Sequence, residues 1–315
     1  MVKLSASKIN SYLSCSYRAW CNYHLNFPRT GSSATKLGST VHELLELLVL
    51  DKHKKIHDTI LETKSILLCK ALVRLIKNKL KKLSLEDGDL LSRIESLLYI
   101  AIKNDLKRQG SNQVLIEMPF KLQGKNFIIN GFCDQVAIYD DKTKVVDFKT
   151  GKKPTGASDE NYLNVQGLIY EWAIKNLYPE LPTEVEFHYL DYKKACVVRY
   201  GLSNKTLLDG LENWLEYIAD YIGGFTYQDA ISNLAYSNGG KYRLCGGSVG
   251  EKTKTGLDAF ICEMKYPRVF FVAKIDDRVI DSSFFKNELL EKHPNCIIEE
   301  RTHQGCPAWK FLWEK

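Results

Sequence analysis

Residues 126–151 read NFIINGFCDQVAIYDDKTKVVDFKTG, and two short β-branched runs stand on either side of Asp140-Asp141. The pattern predicts a β-hairpin with a two-residue or other even-length turn centred on that pair. In that register paired residues sum to 281, so Asp134 faces Asp147 and Val136 faces Val145. Strand alternation puts Val145, Asp147 and Lys149 on one face and Val146 and Phe148 on the other. The two opposed residues would have Cα atoms about 4.5–5.5 Å apart. Opposed carboxylates destabilise a sheet unless a cation or proton compensates. A divalent metal is the natural solution, and hard oxygen ligands suit Mg²⁺ or Mn²⁺. Lys149 points the same way and can stabilise charge developing on a phosphoryl group. The bland alternative is a surface hairpin with ordinary charges, because Asp-x-Lys alone is common.

Outward from the hairpin, the chain changes character at about residue 113. VLIEMPFKL (114–122) precedes it as a strand, and the three runs should be consecutive and antiparallel. Residues 161–177 form a helix, EVEFHYLDY and ACVVRY two more strands, and 207–222 an amphipathic helix. Upstream, the first 110 residues are helical. Ser5 or Ser7 caps a helix carrying Ile9, Tyr12 and Leu13, and Thr35 caps one carrying Leu37, Val41, Leu44, Leu45 and Leu48. Residues 59–82 and 89–108 continue the pattern with many lysines, as in IKNKLKKL (76–83), where a solvated face outweighs a phosphate-tracking one. Beyond Gly223 the pattern weakens. YSNGGKYRLCGGSVGEKTKTG is loop-like and YPRVFFVAKI a strand.

Composition sets wide limits. The 315 residues carry 44 Lys+Arg against 38 Asp+Glu, a net charge of +6, with 44% hydrophobic residues. That is enough apolar content for a core, and a mild basic balance compatible with nucleic acid without requiring it. No run approaches the ~18 to 20 apolar residues of a membrane span. MVKLSASKIN also lacks the apolar stretch of a secretory signal. A cytoplasmic or nucleoid-associated protein is expected, neither secreted nor membrane-bound.

Asp134, the Asp147-Phe-Lys149 triplet and the following Thr-Gly resemble the core of the PD-(D/E)xK nuclease superfamily, and within it the RecB-like exonuclease branch, which includes CRISPR-associated adaptation nucleases. Three further stretches fit in order. Leu37-Gly-Ser-Thr-Val-His42-Glu resembles the helix contributing a metal-binding His. Gln166-x-x-x-Tyr170 resembles the family's Gln-x-x-x-Tyr helix. Ser5-Ala-Ser-Lys-Ile-Asn-Ser-Tyr12-Leu-Ser-Cys15 is similar to the branch's opening helix. The resemblance spans roughly residues 4–200.

It implies that His42, Asp134, Asp147 and the backbone carbonyl of Phe148 hold a Mg²⁺ or Mn²⁺ ion. Lys149 would activate water or stabilise charge, and Gln166 and Tyr170, on one helix face, would position substrate or support the site. Glu117 resembles an acidic family position, as ligand or structural partner. Without the resemblance, His42, Gln166 and Tyr170 would each read as packed core residues. Lys152 and Lys153 could contact a substrate backbone or belong to a solvated loop.

The fold implied is an α/β restriction-endonuclease-like core, a mixed sheet flanked by helices with a helical N-terminal insertion over 36–108. Residues 1–222 would be the nuclease domain and 223–315 a C-terminal extension. The function implied is metal-dependent hydrolysis of DNA from a free end. A structure-specific or single-strand endonuclease on the same core is the nearest alternative, and a non-catalytic nucleic-acid-binding scaffold the rival from another class.

Nine cysteines, at 15, 21, 69, 133, 196, 245, 262, 296 and 306, show no regular spacing, so reduced thiols without disulfides are expected. Some relatives hold a four-iron cluster with one N-terminal Cys, a C-terminal Cys-x-x-Cys and one more. Cys15 stands where the first would be. Cys245, Cys262, Cys296 and Cys306 lack the compact triplet, so an iron–sulfur cluster is not expected.

Overall fold

The computed structural model describes residues 1–29, 33–83, 85, 88–151, 157–190, 196–200, 205–234, 245–246 and 261–312. In chain order these form β1 (Val2–Leu4), α1 (Ala6–Ser14), α2 (Ser16–Tyr23), α3 (Ser33–Val49), α4 (Lys54–Thr63), α5 (Lys70–Lys82), α6 (Gly88–Lys103), β2 (Gln113–Gln123), β3 (Phe127–Ile138) and β4 (Thr143–Lys149). There follow α7 (Ala157–Leu177), β5 (Thr183–Tyr189), β6 (Cys196–Tyr200), α8 (Lys205–Gly223), α9 (Tyr227–Ser232), β7 (Arg268–Ile275), β8 (Arg278–Ser283), α10 (Lys286–Lys292) and β9 (Ile297–His303). Two compact units emerge. One comprises Met1 and residues 31–217, the other residues 2–30 and 218–315. This partition differs from a cut after residue 222, because residues 2–30 group with the C-terminal third.

The first unit is built on the hairpin. Tyr139 N–H donates to the Lys142 carbonyl at 2.8 Å, closing a two-residue Asp140-Asp141 loop. The ladder then runs Ile138↔Thr143, Val136↔Val145 and Gln135↔Val146, all in the expected register. Strand β2 adds antiparallel to the far side of β3, while β4 pairs parallel with β5 and β5 antiparallel with β6. The sheet is therefore mixed. The parallel β4–β5 step requires a crossover, and α7 supplies it.

One face of the sheet is covered by α3 to α6. Val146, Phe148 and Leu190 join Leu37, Val41, Leu44, Leu45 and Leu48 in a single apolar cluster with Ile76, Leu80, Leu97 and Leu98. Each such burial contributes about 1.5–3 kcal/mol. Helix α3 begins at Ser33, so Thr35 lies inside its first turn rather than capping it. Residues 59–82 are not one helix. Lys64 takes φ +57 at the end of α4, and α5 starts at Lys70. Within α5, Leu72, Ile76 and Leu80 are buried, Lys79 pairs with Glu43, and Lys81 and Lys82 face solvent.

The opposite face meets α7. Gly167 lies 3.6 Å from the Phe187 ring when given a Cβ, an ordinary packing distance. Helix α7 also buries Glu171, 4% exposed, whose Oε2 has no hydrogen-bond partner among the described residues. Burial raises this carboxyl to about 7, against an opposing pull from Lys175. The folded chain thus keeps a proton that the unfolded chain releases from about pH 4.5 upward. Stability should fall as pH rises through that window and level off above pH 7. Glu171→Gln should therefore raise the melting temperature at pH 8 but hardly at pH 4.5, a gain on the order of 2 kcal/mol. Melting curves of both proteins across pH check this, and equal differences at both ends would contradict it.

In the second unit β7 is the centre of a three-stranded antiparallel sheet flanked by β8 and β9, with α10 packed on it. The expected strand in YPRVFFVAKI is β7. Strands β8 and β9 were not expected, because their side chains are mostly charged or half-exposed. Ser5 caps α1 by accepting from Lys8 N–H at 3.2 Å, as the sequence suggested, but Leu13 is exposed. Folding also overrides the wide cysteine spacing. Cys15, Cys245, Cys262 and Cys306 line one pocket. No described helix is long and apolar enough to cross a membrane.

Candidate active site

The regular ladder stops one residue short of the acidic pair. Ile116↔Gln135 and Met118↔Cys133 bracket Glu117 and Asp134, which are not themselves paired, and the β3–β4 ladder ends at Gln135↔Val146. In register, Glu117, Asp134 and Asp147 form a row across three adjacent strands. Glu117 adopts φ +46, a conformation costly for a residue with a Cβ. Such strain persists only where surrounding structure imposes it.

Helix α3 brings His42 to this row. His42 Nδ1 lies 3.3 Å from Asp134 Oδ2. Ligand atoms of His42, Glu117 and Asp134 all fall within 4.8 Å of one another. The three share a pocket with Leu45, Glu46, Val49, Ile116 and Phe148. Burial lowers the His42 imidazole below its usual range, against the pull of Asp147. Burial thus favours the neutral imidazole, the form a metal ligand requires. Gly38, one turn earlier on α3, has room for its neighbour only as glycine or after adjustment, since a Cβ would stand 3.2 Å from Thr150 Oγ1.

Asp134 and Asp147 are held differently. Asp134 Oδ2 accepts from Phe148 N–H at 2.8 Å. Burial, then the nearby Asp147 charge, push its carboxyl well above the usual range, and the Phe148 N–H offsets only part of this. Asp147 is enclosed by donors. Its Oδ1 accepts from Gln166 Nε2 and Tyr170 OH, each at 3.0 Å, and Lys149 Nζ stands 2.7 Å from its Oδ2. Lys149 also donates to Gln166 Oε1 at 3.0 Å, and Gln166 Nε2 to Tyr170 OH at 2.7 Å. Burial keeps Tyr170 protonated, its phenol pKa raised well above normal, so it acts as a donor. Despite the nearby lysine, Asp147 Oδ2 is buried without an aligned hydrogen bond. An imidazole, three carboxylates and an under-satisfied oxygen are the donor set a hard divalent ion takes.

The structure therefore gathers His42, Glu117, Asp134, Asp147, Lys149, Gln166 and Tyr170 into one unit. Phe148 shares the pocket, while its ring packs edge-on against His188 at 5.7 Å between centroids. Lys152 and Lys153 lie outside the described residues. Glu46 escaped the sequence reading. It lies on α3 four residues after His42, and burial followed by Glu117 raises its carboxyl pKa. The spacing His-x-x-x-Glu was the signal available.

The family model of the PD-(D/E)XK nuclease superfamily matches residues 3–237. The chain belongs to the PD-(D/E)XK nuclease superfamily. Its mixed sheet flanked by helices is consistent with a restriction-endonuclease-like fold. Nucleases of this superfamily use divalent metals and act on nucleic acid. Among solved structures, the crystal structure of SSO0001 shows 11% identity and a TM-score of 0.32, covering 68% of this chain and 76% of that one. Protein VC1899 from Vibrio cholerae shows 9% identity and a TM-score of 0.23, over 71% and 57%. Likeness of that size adds nothing to the PD-(D/E)XK assignment. Among curated proteins none matches the chain.

Proposed function

We propose that the chain is a divalent-metal-dependent DNA exonuclease of the RecB-like branch, its chemistry confined to residues 1–222. The observation that carries the reading is the split environment of Asp147: Lys149, Gln166 and Tyr170 clamp it on one side, and the His42–Glu117–Asp134 cluster adjoins it in register on the other.

In this reading His42, Asp134, Asp147 and the Phe148 carbonyl hold Mg²⁺ or Mn²⁺, with Glu117 as a further ligand or as the support of Asp134. A bound divalent ion supplies Lewis acidity and a more acidic water. The remaining work belongs to the chain. Asp147 and Gln166 fix the Lys149 ammonium, so its charge needs no reorganisation as negative charge builds on the phosphoryl oxygens. Tyr170 and Gln166 fix the Asp147 carboxylate by donating to the same oxygen, while its other oxygen faces the Lys149 ammonium. Phe148 N–H orients Asp134 in the same way. A bound cation would offset the cost of holding like charges together, beyond what the Lys149 ammonium already supplies.

His42→Ala should shift the Mn²⁺ concentration for half-maximal cleavage upward about tenfold or more while leaving DNA binding in Ca²⁺ nearly unchanged. Cleavage rates across a Mn²⁺ series give the answer. Unchanged half-saturation and maximal rate would make His42 a packing residue. The exposed Lys77, Lys81 and Lys82 of α5 would follow phosphates, with Lys79 held by Glu43, so replacing the four lysines in IKNKLKKL by Ser should flatten the salt dependence of DNA affinity. An unchanged salt slope would leave them a solvated face. Cleavage of an RNA of the same sequence at the same rate would remove the DNA assignment while leaving the site's chemistry in place.

A further inference from the structure

Asp134 stands where the sheet stops pairing, and the residue beside it is tied down from outside the sheet. Gln135 makes the last β3–β4 rung, opposite Val146, and also the rung with Ile116 that precedes the break at Glu117. Its side chain is fully buried, and both ends of the amide are engaged. Oε1 accepts from Arg108 Nε at 2.7 Å, and Nε2 donates to the Leu106 carbonyl at 2.7 Å. Both partners lie in the connection between α6 and β2.

That connection is shaped around the arginine. Asp105 and Arg108 take φ +59 and +52, left-handed backbone that is unfavourable for a residue with a Cβ. Arg108 N–H donates to the Asp105 carbonyl at 3.0 Å, and the Ser111 hydroxyl donates to the Arg108 carbonyl at 2.7 Å. Arg108 is 4% exposed, yet its printed acceptors are neutral: the Gln135 amide and, at 3.3 Å from Nη1, the Asn104 carbonyl. Its Nη2 has no hydrogen-bond partner among the described residues. Burial pulls the guanidinium below its ordinary range, with Glu186, Asp105 and Tyr139 pulling the other way. For stability alone, a well-packed apolar side chain would serve such a position at least as well.

What the arginine supplies is direction. A buried side chain bonded at both ends fixes its own main chain, and Asp134 is the next residue. No rung of either ladder holds Asp134 itself; its main chain is set by Gln135 on one side and by the Met118↔Cys133 rung on the other. Its Oδ2 has to meet Phe148 N–H at 2.8 Å and His42 Nδ1 at 3.3 Å together. An apolar residue at 135 would fill the volume without fixing that approach.

We propose that Arg108 and Gln135 are positioning residues: locked to the α6–β2 connection, the Gln135 amide sets the place of the Asp134 carboxylate and through it the affinity of the metal site. The proposal rests on the metal reading given above and adds to it two residues outside the donor set.

Calorimetric titration of Mn²⁺ into the metal-stripped full chain is the test. Gln135→Met and Arg108→Met should each weaken binding about tenfold or more, the effect typical of groups that orient metal ligands. The double variant should bind no worse than the weaker single one, because both act through one hydrogen bond. Arg108→Lys keeps one donor toward Oε1, so it should recover part of the loss, and it stands in if Arg108→Met does not fold. Leu97→Ala, a large-to-small change in the core of α6, should lower the melting temperature at least as much and keep wild-type affinity. Wild-type affinity in the soluble Gln135 and Arg108 variants, fully additive losses in the double variant, or an equal loss in Leu97→Ala would each overturn the proposal. A wild-type chain that binds no Mn²⁺ would remove the metal site and this proposal together, whereas wild-type binding matched by the variants removes this proposal alone.

Discussion

Asp134→Asn, Asp147→Asn and Lys149→Ala should each lower cleavage of linear DNA at saturating Mg²⁺ on the order of a thousandfold or more, because under the proposed function each removes a charge aimed at the reacting phosphate or its metal. The three should differ in stability. Asp134 carries an ionisation cost set by burial and by the Asp147 charge, so Asp134→Asn should hold or raise the metal-free melting temperature. The amide oxygen can still accept from Phe148 N–H. From the sequence, relief of repulsion was expected for both aspartates. The structure limits it to Asp134. Asp147→Asn leaves Lys149 without its 2.7 Å partner and turns one acceptor toward Gln166 and Tyr170 into a potential donor, so its melting temperature should fall. Cleavage assays and melting curves in EDTA, run on the same preparations, check both parts. Near wild-type cleavage in either Asp variant, with contaminating nuclease excluded, would refute the site.

The second large effect concerns free ends. An exonuclease must admit a terminus, so linear single-stranded DNA should be degraded while a covalently closed circle of the same strand survives under identical Mg²⁺ or Mn²⁺. The circle offers the same backbone and bases and lacks only an end. Rapid cleavage of the circle would transfer the activity to an endonuclease and leave the metal site untouched. Degradation of neither substrate, in protein shown to bind Mn²⁺, would favour the non-catalytic scaffold. Labelling the linear strand at either end gives the polarity in the same experiment.

The hairpin was legible because its turn is local. Asp140-Asp141 sets the loop length, the loop length sets the register, and the register places Asp134 against Asp147. One residue of slippage would have reversed every face. The α7 pair was legible for the same reason, since four residues on a helix share a face. The strain at Glu117 was not legible, because a positive φ inside an apolar strand has no sequence signal when the residue is not glycine. The break after Lys64 was hidden by continuous helical periodicity across residues 59–82. The cysteine pocket is the extreme case. Sequence separations of hundreds of residues carry no information about convergence, which depends on how the second unit folds around the end of α1.

The central claim is that the row of Glu117, Asp134 and Asp147 with His42 is a metal site. Calorimetric titration of Mn²⁺ into metal-stripped protein tests it most directly, because it needs neither substrate nor turnover. The wild-type chain should show saturable binding that disappears in Asp134→Asn and weakens in His42→Ala. Binding of equal affinity and stoichiometry in wild type and Asp134→Asn would contradict the account.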